Sequence, residues 1–236
     1  MNESLIKDVA WTGEQFLGAP ITAIILRFAG LGGTGGFKTS ADSQELDWAN
    51  AGGLVVFPYY NPWAWMNDEA IAFVDELIDA ILAKFGLPST LPIIATGGSM
   101  GGHAALLYPL KSRHKIARCL AVCPVTDLVH HYGERRDLPR TMHSAFHSYG
   151  NIEAILREYS PLHQAANMPE IPYMVVHGEK DQAVAKARHS DPFTQAMKRA
   201  GRDVVYRELP MMEHCDPWDY SSFQAATDFV RAGLRQ

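Results

Sequence analysis

Short apolar runs alternate along the chain with longer stretches in which apolar residues recur every three or four positions. The short runs are apolar or β-branched and bounded by Gly, Pro or polar residues. They predict buried strands at Ile21–Phe28, Gly53–Phe57, Pro92–Ala95, Ile116–Cys123, Pro172–Val176 and Asp203–Glu208. The longer stretches predict helices. The clearest is Asp68–Phe85, where Ile71, Val74, Leu77, Ile78, Ile81 and Leu82 share one face; Asn67 stands at its cap, and Gly86 and Pro88 end it. Met100–Tyr108 follows the third strand directly, with Pro109 as its expected end. Asp191-Pro192 reads as cap and first position of a helix that runs to Ala200 and stops at Gly201, and a last helix covers Ser221–Leu234.

Strands alternating with helices imply the α/β class: an open, mostly parallel, doubly wound sheet with right-handed crossovers and helices on both faces. The rhythm breaks between Pro124 and Pro161, which predicts a small cap-like excursion over the sheet at about 125–160. No repeat, low-complexity tract or linker interrupts the rest, so residues 1–236 are expected to form one domain.

Composition narrows the partners. A net charge of −5, with no basic stripe, argues against nucleic acid. No apolar run approaches the ~20 residues that span a bilayer, and the N-terminus lacks the apolar core of a signal peptide. Cys119, Cys123 and Cys215 are too few and too uneven for a disulfide framework, which points to a reducing, cytoplasmic setting. Nothing in the pattern fixes an oligomeric state.

One local sequence carries chemistry. In Ile93-Ile-Ala-Thr-Gly-Gly-Ser99-Met-Gly-Gly-His103 an apolar strand meets a serine with Gly97 two residues before it and Gly101 two after. A helical pattern starts at once. This is the context of a nucleophile elbow, in which a strained serine projects above the sheet and its neighbours pass too close for a Cβ. The backbone N–H of Met100 would then address an oxyanion at the helix N-terminus. A glycine-rich turn with no chemistry is the plainer reading of this motif taken alone. The loop fits neither a P-loop nor GxGxxG.

A hydroxyl needs a base, and the base needs an orienting group. Tyr173–His177 reads as a strand running into a loop that holds Asp181, and Arg207–Leu209 as a strand end before His214. The order Ser99, Asp181, His214 puts all three beyond the carboxyl ends of strands, where chemistry gathers in open α/β sheets. Asp127 is the main rival acid, with Glu179 and Asp203 behind it. Each residue alone has a plainer reading as a turn or cap residue.

With these residues in place the chain resembles an α/β-hydrolase-fold serine hydrolase, in particular the prolyl-oligopeptidase catalytic domain and dienelactone-hydrolase-like esterases. The resemblance runs roughly from Ile21 to the C-terminus. It is carried by Tyr159-Ser-Pro161, His177-Gly-Glu-Lys-Asp181, Gly201 and Glu213-His214. It implies that the stretch Phe28-Ala29-Gly30-Leu31 supplies a second oxyanion donor, the N–H of Leu31, although Ala29 stands where such families often have His. It also implies the large N-terminal propeller of many relatives, for which this chain has no room, so a small ester or amide is expected rather than a long peptide.

The aromatic cluster Tyr59, Tyr60, Trp63 and Trp65 follows the second strand and is expected either to wall a substrate pocket or to pack beneath the excursion. His130-His131 and the pair His143, His147 invite a metal, but the glutamate of a zinc-protease helix is missing, and no metal or cofactor is expected. Cys215 beside His214 is expected to point away from it. The leading expectation is a carboxylesterase acting on a small-molecule ester through Ser99. The alternatives are a peptidase or amidase for short acylated substrates, and a ligand-binding protein that keeps the fold without turnover.

Overall fold

A computed structural model describes residues 1–33 and 36–234. The described residues form a seven-stranded sheet of β1 (Ala10–Thr12), β2 (Ala23–Phe28), β3 (Gly53–Pro58), β4 (Ile93–Gly98), β5 (Arg118–Val122), β6 (Tyr173–Gly178) and β7 (Val204–Leu209), in the order β1-β3-β2-β4-β5-β6-β7. All neighbours are parallel except β1, a short antiparallel edge beside β3. At three residues β1 is too short to announce itself by alternation. The six strands expected from the sequence all form, with ends shifted by at most three residues.

Alternate strand residues feed opposite faces. Ile24, Leu26 and Phe28 pack on one side with α3 (Asp68–Phe85) and α4 (Met100–Lys111), while Ala23, Ile25 and Val55 pack on the other with Trp48 of α2 (Ser43–Asn50) and with Ala226 and Val230 of α9 (Tyr220–Arg231). Helix α3 has the bounds its periodicity predicts, with the Asn67 side chain accepting from the Ala70 N–H. Helices α1 (Ile6–Val9) and α2 have no counterpart among the predicted elements; a capping box of Asp42 and Glu45 starts α2.

Several helix ends differ from expectation, the last helix stopping at Arg231 instead of Leu234, and two of the differences bear on packing. Pro109 lies inside α4 instead of ending it. Proline removes the N–H that would serve the carbonyl of Ala105, and the thiol of Cys119 donates there instead at 3.1 Å. Helix α8 (Ser190–Arg199) starts two residues early, so Asp191 sits in its first turn rather than capping it. There Asp191 accepts from the Tyr206 hydroxyl at 2.6 Å. The stretch at 125–160 carries three short helices, α5 (Leu128–His131), α6 (Leu138–Phe146) and α7 (Ile152–Glu158). The chain winds from β2 outward to β3 and then back across to β4, and this reversal opens a crevice above the carboxyl ends of β2 and β4.

Candidate active site

Strand β4 brings Gly98 to this rim, and Ser99 follows at φ 59°, ψ −124° before α4 begins. A non-glycine residue held there costs on the order of 1–3 kcal/mol. The flanking glycines make the turn possible. A Cβ on Gly97 would lie 2.3 Å from the Gly101 carbonyl oxygen, and one on Gly101 would lie 2.2 Å from that of Phe28. The turn is pinned from below by the Ser99 N–H donating to the Val122 carbonyl at 2.9 Å. The loop after β2 abuts it: a Cβ on Gly30 would sit 3.8 Å from that of Ser99. Among the described residues, neither the Met100 nor the Leu31 N–H donates to a backbone carbonyl.

The loops after β6 and β7 bring Asp181 and His214 together. His214 Nδ1 donates to Asp181 Oδ2 at 2.8 Å. The buried carboxylate is held from every side. Oδ1 accepts the N–H groups of Ala183 and Val184, each at 2.9 Å, and Oδ2 also lies 3.2 Å from His177 Nε2. Burial alone would push this carboxyl up; the donors of His177, His214 and Val184 outweigh it and hold it well below the usual carboxylate range. The hydrogen bond to Asp181, opposed by burial, raises the His214 imidazole above its ordinary value. His177 is locked in turn: its Nδ1 accepts from the Ser190 hydroxyl at 2.6 Å and its Nε2 donates to the Val184 carbonyl at 2.8 Å. The loop that carries His214 rests on the end of β6, where a Cβ on Gly178 would lie 2.2 Å from the Met212 carbonyl oxygen.

Ser99 and His214 line one cleft of about 650 Å³, together with Gly30, Leu31, Arg135 and Cys215. Among the described residues no direct hydrogen bond joins the hydroxyl to the imidazole, a bond that in ligand-free hydrolases often closes only around substrate. Asp127, the rival acid, is occupied elsewhere: it caps α5 by accepting the His130 N–H at 3.1 Å. Three cleft or support residues escaped the sequence reading. His177 entered only as a strand end and as part of the family resemblance, with no role of its own. Arg135 had none. Cys215 was expected to point away from His214, but its positive φ of 66° turns the thiol back beside the imidazole.

The aromatic cluster is a correction. None of Tyr59, Tyr60, Trp63 and Trp65 lines the Ser99 cleft. Left-handed backbone at Trp65 and Met66 turns the loop under α6, where the buried Trp65 indole donates to Thr141 Oγ1 at 3.0 Å. Tyr60 is buried with its ring 6.1 Å from Phe28, Tyr59 accepts the Lys38 N–H at 2.8 Å, and Trp63 is exposed near Arg140.

Two buried clusters have the residue types of a metal site but the wrong protons. His131, Glu134 and His189 converge. However, His189 Nδ1 accepts the N–H groups of Thr126 and Asp127, at 3.2 and 3.3 Å, which leaves its proton on the Nε2 that faces Glu134. In the group of Cys123, His177 and Asp181 both nitrogens of His177 are already engaged. His143 and His147 bond instead to the Tyr132 hydroxyl and the Ser144 carbonyl.

Residues 68–229 match the model of the prolyl oligopeptidase family. The chain belongs to this family. No curated protein sequence matches it. Among solved structures it is similar to an acylaminoacyl peptidase of Pyrococcus horikoshii (TM-score 0.71, 15% identity, 96% of this chain and 38% of that one). It is also similar to a puromycin-hydrolysing peptidase of Mycobacterium tuberculosis (0.71, 16%, 92% and 35%). A truncated carbohydrate esterase from gut microbiota has a TM-score of 0.68 at 14% identity over 92% of this chain and 87% of that one. The chain thus spans a little over a third of the peptidases' length and most of the esterase's. At these identities the likeness establishes the α/β-hydrolase fold, and the family model adds a serine hydrolase lineage.

Proposed function

We propose that the protein is a serine hydrolase that opens a small carboxylic ester through an acyl-enzyme on Ser99. The observation that carries this reading is the strained Ser99 sharing one cleft with a His214 whose Nδ1 is bonded to a buried carboxylate. His214 accepts the Ser99 proton as the hydroxyl attacks the carbonyl, and Asp181 holds the imidazole in the tautomer that leaves Nε2 free. The Met100 and Leu31 amides receive the oxyanion. His214 then protonates the leaving alcohol, and a water deacylates Ser99 by the same route. A cleft of about 650 Å³ falls within the range of small-ligand sites.

Peptide or amide cleavage on short acylated substrates is the second reading, favoured by the family match and by the peptidases among the similar structures. Matched ester and amide substrates separate the two, since amide turnover comparable to ester turnover favours the second. A fluorophosphonate probe tests both against a binding protein without turnover. It is expected to label Ser99 in the folded chain, and Ser99→Ala is expected to lower kcat by on the order of 10⁶ without loss of fold. Near-normal hydrolysis by that variant would overturn the assignment.

A further inference from the structure

The geometry points to a site for a thiophilic divalent cation of the Zn²⁺ or Cd²⁺ class, formed by Cys123, Cys215 and His214, whose occupation disables the candidate base. A ring nitrogen of His214 and the two sulfurs all lie within 4.8 Å of one another. A tetrahedral ion with bonds of about 2.3 Å to sulfur and about 2.0–2.1 Å to nitrogen spaces its ligands roughly 3.3–3.8 Å apart. Closure by about 1.3 Å or less therefore brings all three donors into register. Backbone conformation already holds them there: Cys123 directly follows β5 at φ 43°, Cys215 follows His214 at φ 66°, and the Cys215 N–H donates to Cys123 Sγ at 3.3 Å. An N–H donor on sulfur supports a thiolate ligand, as outer partners do in thiolate metal sites.

Access is built in. His214 and Cys215 line the Ser99 cleft, so an ion enters from the substrate side and keeps its fourth position toward the cleft, while Cys123 is buried behind it. Unlike His177 and His189, His214 has a single hydrogen-bond partner among the described residues, Asp181. An ion on Nε2 would occupy the atom that must take the serine proton and would complete a carboxylate–histidine–metal arrangement with Asp181. An ion on Nδ1 would displace Asp181 and lose the working tautomer. Either way the base is lost. Binding converts two thiols to thiolates and releases two protons to solvent, so affinity rises with pH. The cation site stands on geometry alone; its inhibitory consequence rests on the hydrolase reading.

The test uses the full chain, reduced, freed of metal with a chelator, and titrated with Cd²⁺ alone. A thiolate-to-cadmium charge-transfer band saturating at one equivalent is expected in the wild type, and its loss in both Cys123→Ser and Cys215→Ser. In parallel, Zn²⁺ is expected to inhibit aryl-ester hydrolysis reversibly. It should do so roughly tenfold or more less effectively in Cys215→Ser, each protein being compared with its own metal-free rate. No band in the wild type, or a band unchanged in the folded Cys215→Ser variant, overturns the proposal. Thiol titration that finds Cys123 and Cys215 already oxidised to each other after mild reduction also overturns it. If the metal-free protein hydrolyses nothing, the hydrolase reading falls while the band still reads the site.

Discussion

At the scale of single residues, one contact sets the pH behaviour of the cleft. Asp181 raises the His214 imidazole above its ordinary value near 6.5, so His214 gains its inactivating proton at a higher pH than a free histidine would. The acid limb of kcat/KM is therefore expected to have its midpoint above that value. In Asp181→Asn the charge is gone: kcat is expected to fall by on the order of 10⁴, and the residual acid limb to shift to lower pH. A limb that stays put would mean that Asp181 does not act on the base. The three candidate residues were legible because each follows a strand and the elbow carries its own glycine signature. Cys215 was not, since its place depends on a left-handed backbone that a non-glycine residue does not advertise.

Between elements, the contacts that build the site are backbone against backbone. Strand β6 ends in Gly178 because the loop after β7 crosses it, with the carbonyl oxygens of Met212 and Glu213 at 2.2 and 2.5 Å from where a Cβ would stand. Gly178→Ala is expected to lift that loop and move His214 away from Ser99. A displacement of about 1 Å would lower kcat on the order of 10²-fold. Fluorophosphonate labelling should slow in step while the far-ultraviolet circular dichroism stays native. Unchanged labelling would show that the loop can relax. Strands and α3 were readable because their apolar residues repeat with the period of the element. Pro109 misled because the carbonyl it frees is met by Cys119, a partner 10 residues further along the chain. The aromatic loop misled because ring-rich sequence looks the same over a pocket as under a helix, and only the direction of the chain at Trp65 and Met66 decides.

For the whole molecule, the ionisable groups of the site pull stability in opposite directions with pH. His214, with its raised value, contributes stability that is full below pH 6.5 and is lost as pH rises through its folded value. Asp181, held low, contributes stability that is full above the ordinary carboxylate range and fades as pH falls below it. The stronger lever at mildly acid pH is His103. It is fully buried in α4, and burial pushes its imidazole down to about 4 despite ring contacts to the Trp65 and Val125 carbonyls at 3.1 and 3.2 Å. The unfolded chain takes up this proton near pH 6.5 and the folded one only near 4, so stability is full above 6.5, declines between the two, and stays lower below. The loss is roughly 3 kcal/mol. His131 is depressed the same way, burial outweighing its bond to Glu134. In His103→Gln the amide group can donate to both carbonyls and does not titrate. Urea unfolding of the variant between pH 7 and 4.5 is therefore expected to lose distinctly less stability than that of the wild type. Parallel losses would mean that His103 is already charged when folded, with the two carbonyls, rather than a neutral imidazole, holding α4 to the loops on either side.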